Sequence, residues 1–121
     1  MDIRRINEYF LKAQKLNSDL SDCDRTSSFR GELGCTNPVA DITIGIKYDL
    51  LGNIIELKSD FKYANRYLCA FVSRAAEILP GLNCYRMSSN KISAQILKFF
   101  GLEGKETRET EALKSLLLGI C

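Results

Sequence analysis

The residues with the clearest chemical potential surround the cysteine at position 35. Cys35 follows Gly34 and precedes Thr36-Asn37-Pro38, a combination that is typical of a tight turn. Another protein can reach a thiol in a turn, whereas a thiol on the face of a strand or helix is usually covered. Cys35 is therefore the candidate nucleophile. The alternative is a buried structural thiol, because free cysteine is among the most buried residue types.

The other ionisable residues narrow the possible chemistry. The sequence contains no histidine, which excludes a Cys-His catalytic pair and a histidine-ligated metal within it. Cys23 lies between Asp22 and Asp24, and their carboxylates disfavour a thiolate, so we expect a poor nucleophile there. No two cysteines form a CxxC pair, which argues against a zinc ribbon or a redox dithiol. An odd number of cysteines and an expected reducing compartment argue against a disulfide framework.

Length and composition predict a single globular domain over residues 1–121. Apolar residues make up 45% of the chain and charged residues 26%. No apolar run approaches the roughly 18 residues that a membrane helix needs, and the first residues lack the features of a signal peptide. We therefore expect a cytoplasmic protein without a membrane partner. The net charge of +2 is spread along the chain, which argues against nucleic-acid binding.

Hydrophobic periodicity predicts the elements that position the Cys35 turn. Ile42, Ile44 and Ile46 alternate with polar or small residues over 41–48, which indicates a strand with one buried face. A short turn leads to a second strand over 54–58, so the two should form an antiparallel hairpin. We expect a polar loop over 17–28 and a short edge strand over 29–33.

Apolar residues at helical spacing predict four helices. Their expected ranges are about 2–16, 61–79 and 90–100, followed by a last helix after Thr107 that buries Leu113, Leu116, Leu117 and Ile120. The expected N-terminal caps are Asp2, Ser59-Asp60, Ser88-Ser89 and Thr107. Cys69 falls beside the buried stripe of the second helix, where we expect a small core residue. The predicted fold is α+β, a small antiparallel sheet packed by helices in two layers.

The segment from Gly34 to Val39 resembles the Gly-Cys-x-Ser-x-Val signature of the SufE-type sulfur acceptors, which belong to the SufE/NifU-like fold superfamily. The resemblance continues in order along the chain: Gly52-Asn53-Ile54-Ile55-Glu56-Leu57, Ser59-Asp60, a helix ending in Pro80-Gly81, a helix ending in Phe99-Phe100-Gly101-Leu102, and Arg108 before the last helix. The sequence departs from the family at Asn37, where the signature has serine, and at Ala40, where the family usually has tryptophan.

The resemblance implies that Cys35 accepts persulfide sulfur from a pyridoxal-phosphate-dependent cysteine desulfurase. The sulfur is then passed on for iron–sulfur cluster assembly, and an iron–sulfur scaffold protein is one candidate recipient. The resemblance implies a persulfide carrier more than a stand-alone enzyme. The cofactor belongs to the desulfurase, so this chain is expected to hold no cofactor and no metal. A free thiol has a pKa near about 8.5, and a neighbouring cation would raise its thiolate fraction. Arg30, by sequence nearness, and Arg108, by family position, are candidates, with Asp60 as a further supporting residue. For all three the alternative is a solvated charge or a cap.

Two other functions stay open at this point. Iron–sulfur scaffolds of the NifU and IscU type share the expected layout, and the segment 37–41 is faintly similar to their Pro-x-Cys-Gly-Asp turn. That function needs three cysteine ligands, and here Val39 stands at the cysteine position of the turn. The second alternative is a non-catalytic domain, one that binds a desulfurase without receiving sulfur or has an unrelated binding role.

Overall fold

The fold places a three-stranded antiparallel sheet against a layer of helices. The computed structural model describes residues 1–32 and 39–120, with only the backbone of Val39. In chain order the elements of this part are α1 (Ile3–Ala13), β1 (Arg25–Glu32), β2 (Val39–Tyr48), β3 (Ile54–Tyr63), α2 (Arg66–Ile78), α3 (Ser89–Phe99) and α4 (Arg108–Ile120). The predicted α+β class is confirmed.

The sheet has one buried face and one polar face. Its strand order is β1-β2-β3, and both neighbouring pairs are antiparallel, so the predicted hairpin is confirmed. Ile42, Ile44 and Ile46 are at most 1% exposed, because successive side chains of a strand alternate between the two faces and these three face the helices. Thr43 and Lys47 occupy the opposite, polar face. One covered face and one polar face are common for an antiparallel sheet.

Two strands are longer than the sequence analysis predicted. β1 begins at Arg25, so residues 25–28 are strand and not loop. β3 continues to Tyr63, so the prediction of a helix starting at 61 is wrong. Both segments are polar, so they lack the alternation of apolar and polar residues that identifies a strand. The buried residues paired with Ile44 on the two neighbouring strands are serines, Ser27 and Ser59. A small serine fits a position covered closely by a helix, and it reads as a loop residue in a sequence pattern.

The cap of α2 is also different from the prediction. Asn65 is the N-cap, and its side-chain oxygen accepts a hydrogen bond from the backbone N–H of Leu68 at 2.9 Å. Ser59 is buried within β3, and Asp60 is exposed in the same strand opposite Thr43. The Ser59-Asp60 pair therefore caps no helix.

The chain between α1 and β1 covers part of the sheet. Asn17 forms a parallel bridge with Ser59, and the Asn17 side-chain oxygen accepts from the backbone N–H of Phe61 at 2.9 Å. Further along, the Asp22 carboxylate accepts from Lys58 Nζ at 3.0 Å. Cys23 packs on the polar face so closely over Gly45 that a Cβ at Gly45 would stand 2.6 Å from its sulfur. The segment thus occupies both the outer edge of β3 and one end of the polar face.

The other predicted helices agree closely with the structure. Asp2 caps α1 and accepts from the backbone N–H of Arg5, but the helix ends at Ala13, three residues before the predicted end. Ser88 caps α3, and the hydroxyl of Thr107 accepts from the backbone N–H of Thr110 at the start of α4. The predicted apolar residues of α4 are all buried: Leu113, Leu116, Leu117 and Ile120. Among the described helices, none has the length and apolar character required to cross a membrane.

Candidate functional site

The connection that carries Cys35 runs from the last residue of β1 to the first residue of β2. Glu32 is paired with Val39, so both ends of the connection lie at the same end of the sheet. We call this the Glu32–Val39 end; it also includes Tyr63, which is paired with Asp41 at the end of β3. Cys35 itself lies outside the described residues, and its exposure remains a prediction. The hairpin register nevertheless fixes the place at which the connection leaves the fold.

Two helices begin at the Glu32–Val39 end. Asn65, two residues after Tyr63, caps α2, and its side-chain nitrogen donates to Glu109 Oε1 at 2.7 Å in the first turn of α4. Helix N-termini carry unpaired backbone N–H groups and a positive partial charge, which favour a nearby anion. A thiolate or persulfide anion beside these N-termini would be stabilised in the same way.

The two predicted arginines lie on elements that reach this end. Arg30 is exposed on β1, opposite Asp41 and two residues before Glu32. Arg108 is the exposed first residue of α4, next to Glu109. Asp60 lies within β3, three residues before Tyr63. The fold thus brings both arginines toward the end that carries the Cys35 connection.

The other thiols that the structure describes as free are poorly suited to nucleophilic attack. Burial, and then the Asp22 carboxylate, raise the pKa of Cys23 above its ordinary value. The direction agrees with the sequence-based prediction, although burial is the larger cause. Cys69 is a buried residue of α2, as predicted, and burial raises its pKa to about 11. Neither thiol would be a thiolate to a useful extent at neutral pH.

Cys84 differs from these two cysteines because it is disulfide-bonded. It lies between α2 and α3, and its backbone N–H donates to the carbonyl oxygen of Gly52 at 2.9 Å. At Cys84 the expectation of no disulfide is therefore wrong. Counting cysteines and searching for CxxC pairs could not find a bond between positions that only the tertiary fold brings together.

The described residues at the Glu32–Val39 end do not form a recognisable metal centre. Within residues 1–32 and 39–120, no cluster of three or more histidine, cysteine, aspartate or glutamate side chains could hold a metal ion. The start of α2 presents Asn65 and Arg66, and the start of α4 presents Arg108, where a cluster scaffold would need thiolates. Amide and guanidinium groups suit the binding of an anion better than that of iron.

Asn65 and Glu109 are two polar residues at this end that the sequence patterns did not single out. Asn65 directly precedes apolar residues at helical spacing, which is a pattern typical of an N-cap. The Ser59-Asp60 pair also fits this pattern and comes earlier in the chain, so the cap was predicted there. Glu109 contacts Asn65 across 44 positions of sequence, and no local pattern reveals such a contact.

The described elements define an α+β domain whose antiparallel sheet is covered by helices. No family model matches the sequence, and no curated protein matches it either. Among solved structures, the chain is similar to a crystal structure from the thermophile Fervidobacterium islandicum AW-1, assigned as an iron–sulfur cluster assembly scaffold protein for the SUF system. The two share 14% sequence identity with a TM-score of 0.63, over 93% of each chain. At this identity the likeness shows the fold alone.

Proposed function

We propose that this chain acts in iron–sulfur cluster assembly as a sulfur acceptor, with Cys35 as the receiving thiol. The observation that supports it most is that the paired ends of β1 and β2, between which Cys35 lies in sequence, are at the same end of the sheet as the N-termini of α2 and α4. Such an end favours an anionic sulfur. The described alternatives are disfavoured, because burial raises the pKa of Cys23 and Cys69, and Cys84 is already bonded. The proposed compartment is the cytoplasm.

The proposed step is a sulfur transfer between two thiols. The Cys35 thiolate attacks the outer sulfur of a persulfide on a pyridoxal-phosphate-dependent cysteine desulfurase. A new S–S bond forms on Cys35, the S–S bond on the desulfurase breaks, and the desulfurase cysteine leaves as a thiolate. The sulfur then passes to an acceptor such as an iron–sulfur scaffold.

Within this chain, Arg30 and Arg108 would favour the anionic forms of Cys35. Both side chains are exposed, so each acts through solvent and its effect should weaken with added salt. Asp60 carries the opposite charge and lies farther along β3. Its proposed role is to contact the partner, because a carboxylate close to Cys35 would disfavour the thiolate.

The experiment is to incubate the protein with a cysteine desulfurase and cysteine and to locate persulfide by mass spectrometry. We expect persulfide on Cys35 and loss of desulfurase stimulation in Cys35→Ser. Cys23→Ser is the matched control and should behave as wild type, because Cys23 packs on the polar face over Gly45. Equal labelling of Cys23 and Cys35 would contradict the proposal. Binding of the desulfurase with no persulfide anywhere would favour the non-catalytic alternative.

A scaffold function is the second candidate, because the similar structure is assigned as a SUF-system scaffold. Anaerobic reconstitution with iron and sulfide separates the two. A sulfur acceptor should retain no stoichiometric iron after desalting, as expected from the lack of a metal-binding cluster among the described residues. Stoichiometric iron that depends on Asp41 or Glu109 would support the scaffold instead.

A further inference from the structure

β1 is an edge strand whose outer side has no backbone partner in the described chain. The sheet order places β1 beside β2 alone, and within residues 1–32 and 39–120 neither a strand nor an isolated bridge pairs with its other side. In the same part of the chain, residues 26–32 make no backbone hydrogen bond outside the β1–β2 ladder. Since alternate residues of a strand direct their N–H and C=O groups to opposite sides, about half of these groups point away from β2.

β1 lacks most of the features that usually protect such an edge. Natural edge strands are often short, carry proline, contain a bulge or lie under another segment. β1 has eight residues and no proline, and all of them pair with β2 in unbroken register. The outer edge of β3 is instead crossed by the chain leaving α1, where the backbone N–H of Ser18 donates to the carbonyl oxygen of Ser59 at 3.0 Å. Of the two outer edges, β1 therefore offers the longer unbroken one.

We propose that β1 pairs with β1 of a second copy of this chain, antiparallel and about a two-fold axis at Phe29. A strand edge that meets its own copy makes an isologous contact, which closes after two molecules. Opposed residues of an antiparallel pair lie on the same face of the sheet, so one residue must lie opposite its own copy. The two sheets then continue into one another.

The residue types of β1 favour the register centred on Phe29. In this register Thr26 lies opposite Glu32 of the second copy. Ser28 lies opposite Arg30 of the second copy, so both charged groups face a hydroxyl. All four of these side chains are on the exposed, polar face of the sheet. Like charges directly opposed would destabilise a strand pair, and this register contains none among residues 26–32.

The two neighbouring registers each oppose like charges. With Arg30 at the axis, its guanidinium would face its own copy. With Ser28 at the axis, Glu32 would face Asp24 of the second copy. Charge therefore selects the register centred on Phe29.

The helix-covered face also suits this register. Phe29 is half-buried there, and its ring lies over Gly31, with Cζ 3.2 Å from the position of a Gly31 Cβ. A second Phe29 placed opposite would bury more of the ring, and paired aromatic rings attract each other. α4 meets β1 at Ser27 through Gly119, but its first turn is bonded to Asn65, after the end of β3. α4 thus diverges from the last residues of β1, which leaves room for the second copy.

Pairing in this register would keep the two Glu32–Val39 ends apart. The Glu32 residues of the two copies would be about 20 Å apart along the sheet, at roughly 3.3 Å per residue. The two ends would face opposite directions, so one dimer could bind two partner molecules. The pairing does not depend on sulfur transfer, so either proposal can fail alone.

Sedimentation velocity over a concentration series tests the pairing. We expect a reversible monomer–dimer equilibrium, which a charge at position 26 should shift in a direction set by its sign. Thr26→Lys faces Glu32 of the second copy twice in each dimer and should tighten the dimer about fivefold, whereas Thr26→Glu should weaken it about fivefold. Adding Glu32→Lys to Thr26→Glu should reverse this weakening. Lys62→Glu, on the exposed face of β3, is the control and should leave the dimer unchanged.

Hydrogen exchange measured residue by residue locates the contact. Alternate amides within residues 26–32 should exchange more slowly in concentrated than in dilute protein. A monomer at every concentration would overturn the proposal, and so would a dimer whose affinity is the same in Thr26→Lys and Thr26→Glu. Slower exchange in β1 only after addition of a cysteine desulfurase would also overturn it, in favour of a strand from that partner.

Discussion

Asn65 and Glu109 join the first turns of α2 and α4 through one hydrogen bond, from Asn65 Nδ2 to Glu109 Oε1 at 2.7 Å. The same Asn65 side chain uses its oxygen to cap α2 at the backbone N–H of Leu68. One amide therefore fixes a helix start and its spacing to a second helix. Both helix starts lie at the Glu32–Val39 end, so this contact helps to set the shape of that end of the domain.

Asn65→Ala should lower the free energy of unfolding by about 1–2 kcal/mol, because it removes the cap and leaves Glu109 without this donor. Asn65→Asp is the informative companion. It keeps a capping oxygen but places a second carboxylate against Glu109 in place of the amide donor, so it should also be less stable than wild type, and the deficit should shrink with added salt. Urea unfolding at pH 7, at low and at high salt, measures both effects. Equal stability of Asn65→Ala and wild type would show that the contact is dispensable.

The buried thiol of Cys69 should make stability fall at alkaline pH. Burial raises its pKa from 9.0 to about 11, so the unfolded chain loses this proton first. The contribution is complete below about pH 9 and is lost as pH rises towards 11. We expect the stability of wild type relative to Cys69→Ala to decline between pH 9 and pH 11 in denaturant titrations. A constant difference across this range would contradict the assigned burial.

Gly119 lets α4 approach β1 closely. A Cβ at this position would stand 2.7 Å from Cβ of Ser27, which is tighter than real side chains allow. Gly119→Ala should therefore destabilise the protein by about 1–3 kcal/mol, although alanine favours a helix. Ser115→Ala, at an exposed position of α4, is the control and should have little effect.

A second-site change tests this explanation for Gly119. Adding Ser27→Gly to Gly119→Ala removes the clashing atoms and should restore part of the lost stability. The measurement is a double-mutant cycle from chemical denaturation. Strict additivity of the two changes would show that Gly119 is needed for another reason.

Glu77 links α1 to α2 and should steepen the loss of stability in acid. Burial raises its pKa, but hydrogen bonds from Tyr9 at 2.7 Å, Lys12 at 3.0 Å and Arg74 at 2.8 Å outweigh burial and hold the pKa below its usual value of 4.5. The stabilisation is thus present above that value and is lost as pH falls through the lower, folded-state pKa.

Glu77→Gln tests this linkage. Its stability should change less than that of wild type between pH 5 and pH 3, measured by chemical denaturation at each pH. Glu8→Gln is the matched control, because it removes another carboxylate that pairs with Lys12, at 3.6 Å, on the exposed surface of α1. Parallel acid profiles for Glu77→Gln and wild type would rule out the network as the source of the pH dependence.

Local patterns predicted the elements that carry strong hydrophobic periodicity. The strand containing Ile42, Ile44 and Ile46 and the helix containing Leu113 and Leu116 were both found, because each presents an apolar face with the period of its own geometry. The antiparallel hairpin followed from the short turn between two such strands. These features depend only on neighbouring residues, so a single sequence can reveal them.

Features that depend on tertiary contacts were not predictable in the same way. β1 and the end of β3 are polar segments, held as strands by pairing with β2 and by the fit of Ser27 and Ser59 beneath the helices. The Asn65–Glu109 bond and the disulfide at Cys84 join residues that are distant in sequence. At the candidate site, Cys35 and the two arginines stay sequence-based predictions, whereas the position of the two helix starts at one end of the sheet could be seen only in the fold.

The bridge between Asn17 and Ser59 has a consequence for how copies of this protein meet at high concentration. An open strand margin is a template on which another polypeptide can assemble, the usual first step of sheet-mediated aggregation. Here the chain leaving α1 already lies along the margin of β3 at Asn17 and Ser18. Edge-to-edge pairing of many molecules into one continuous sheet would need two open strand edges in each molecule. The segment that crosses β3 at Asn17 and Ser18 therefore opposes this kind of aggregation.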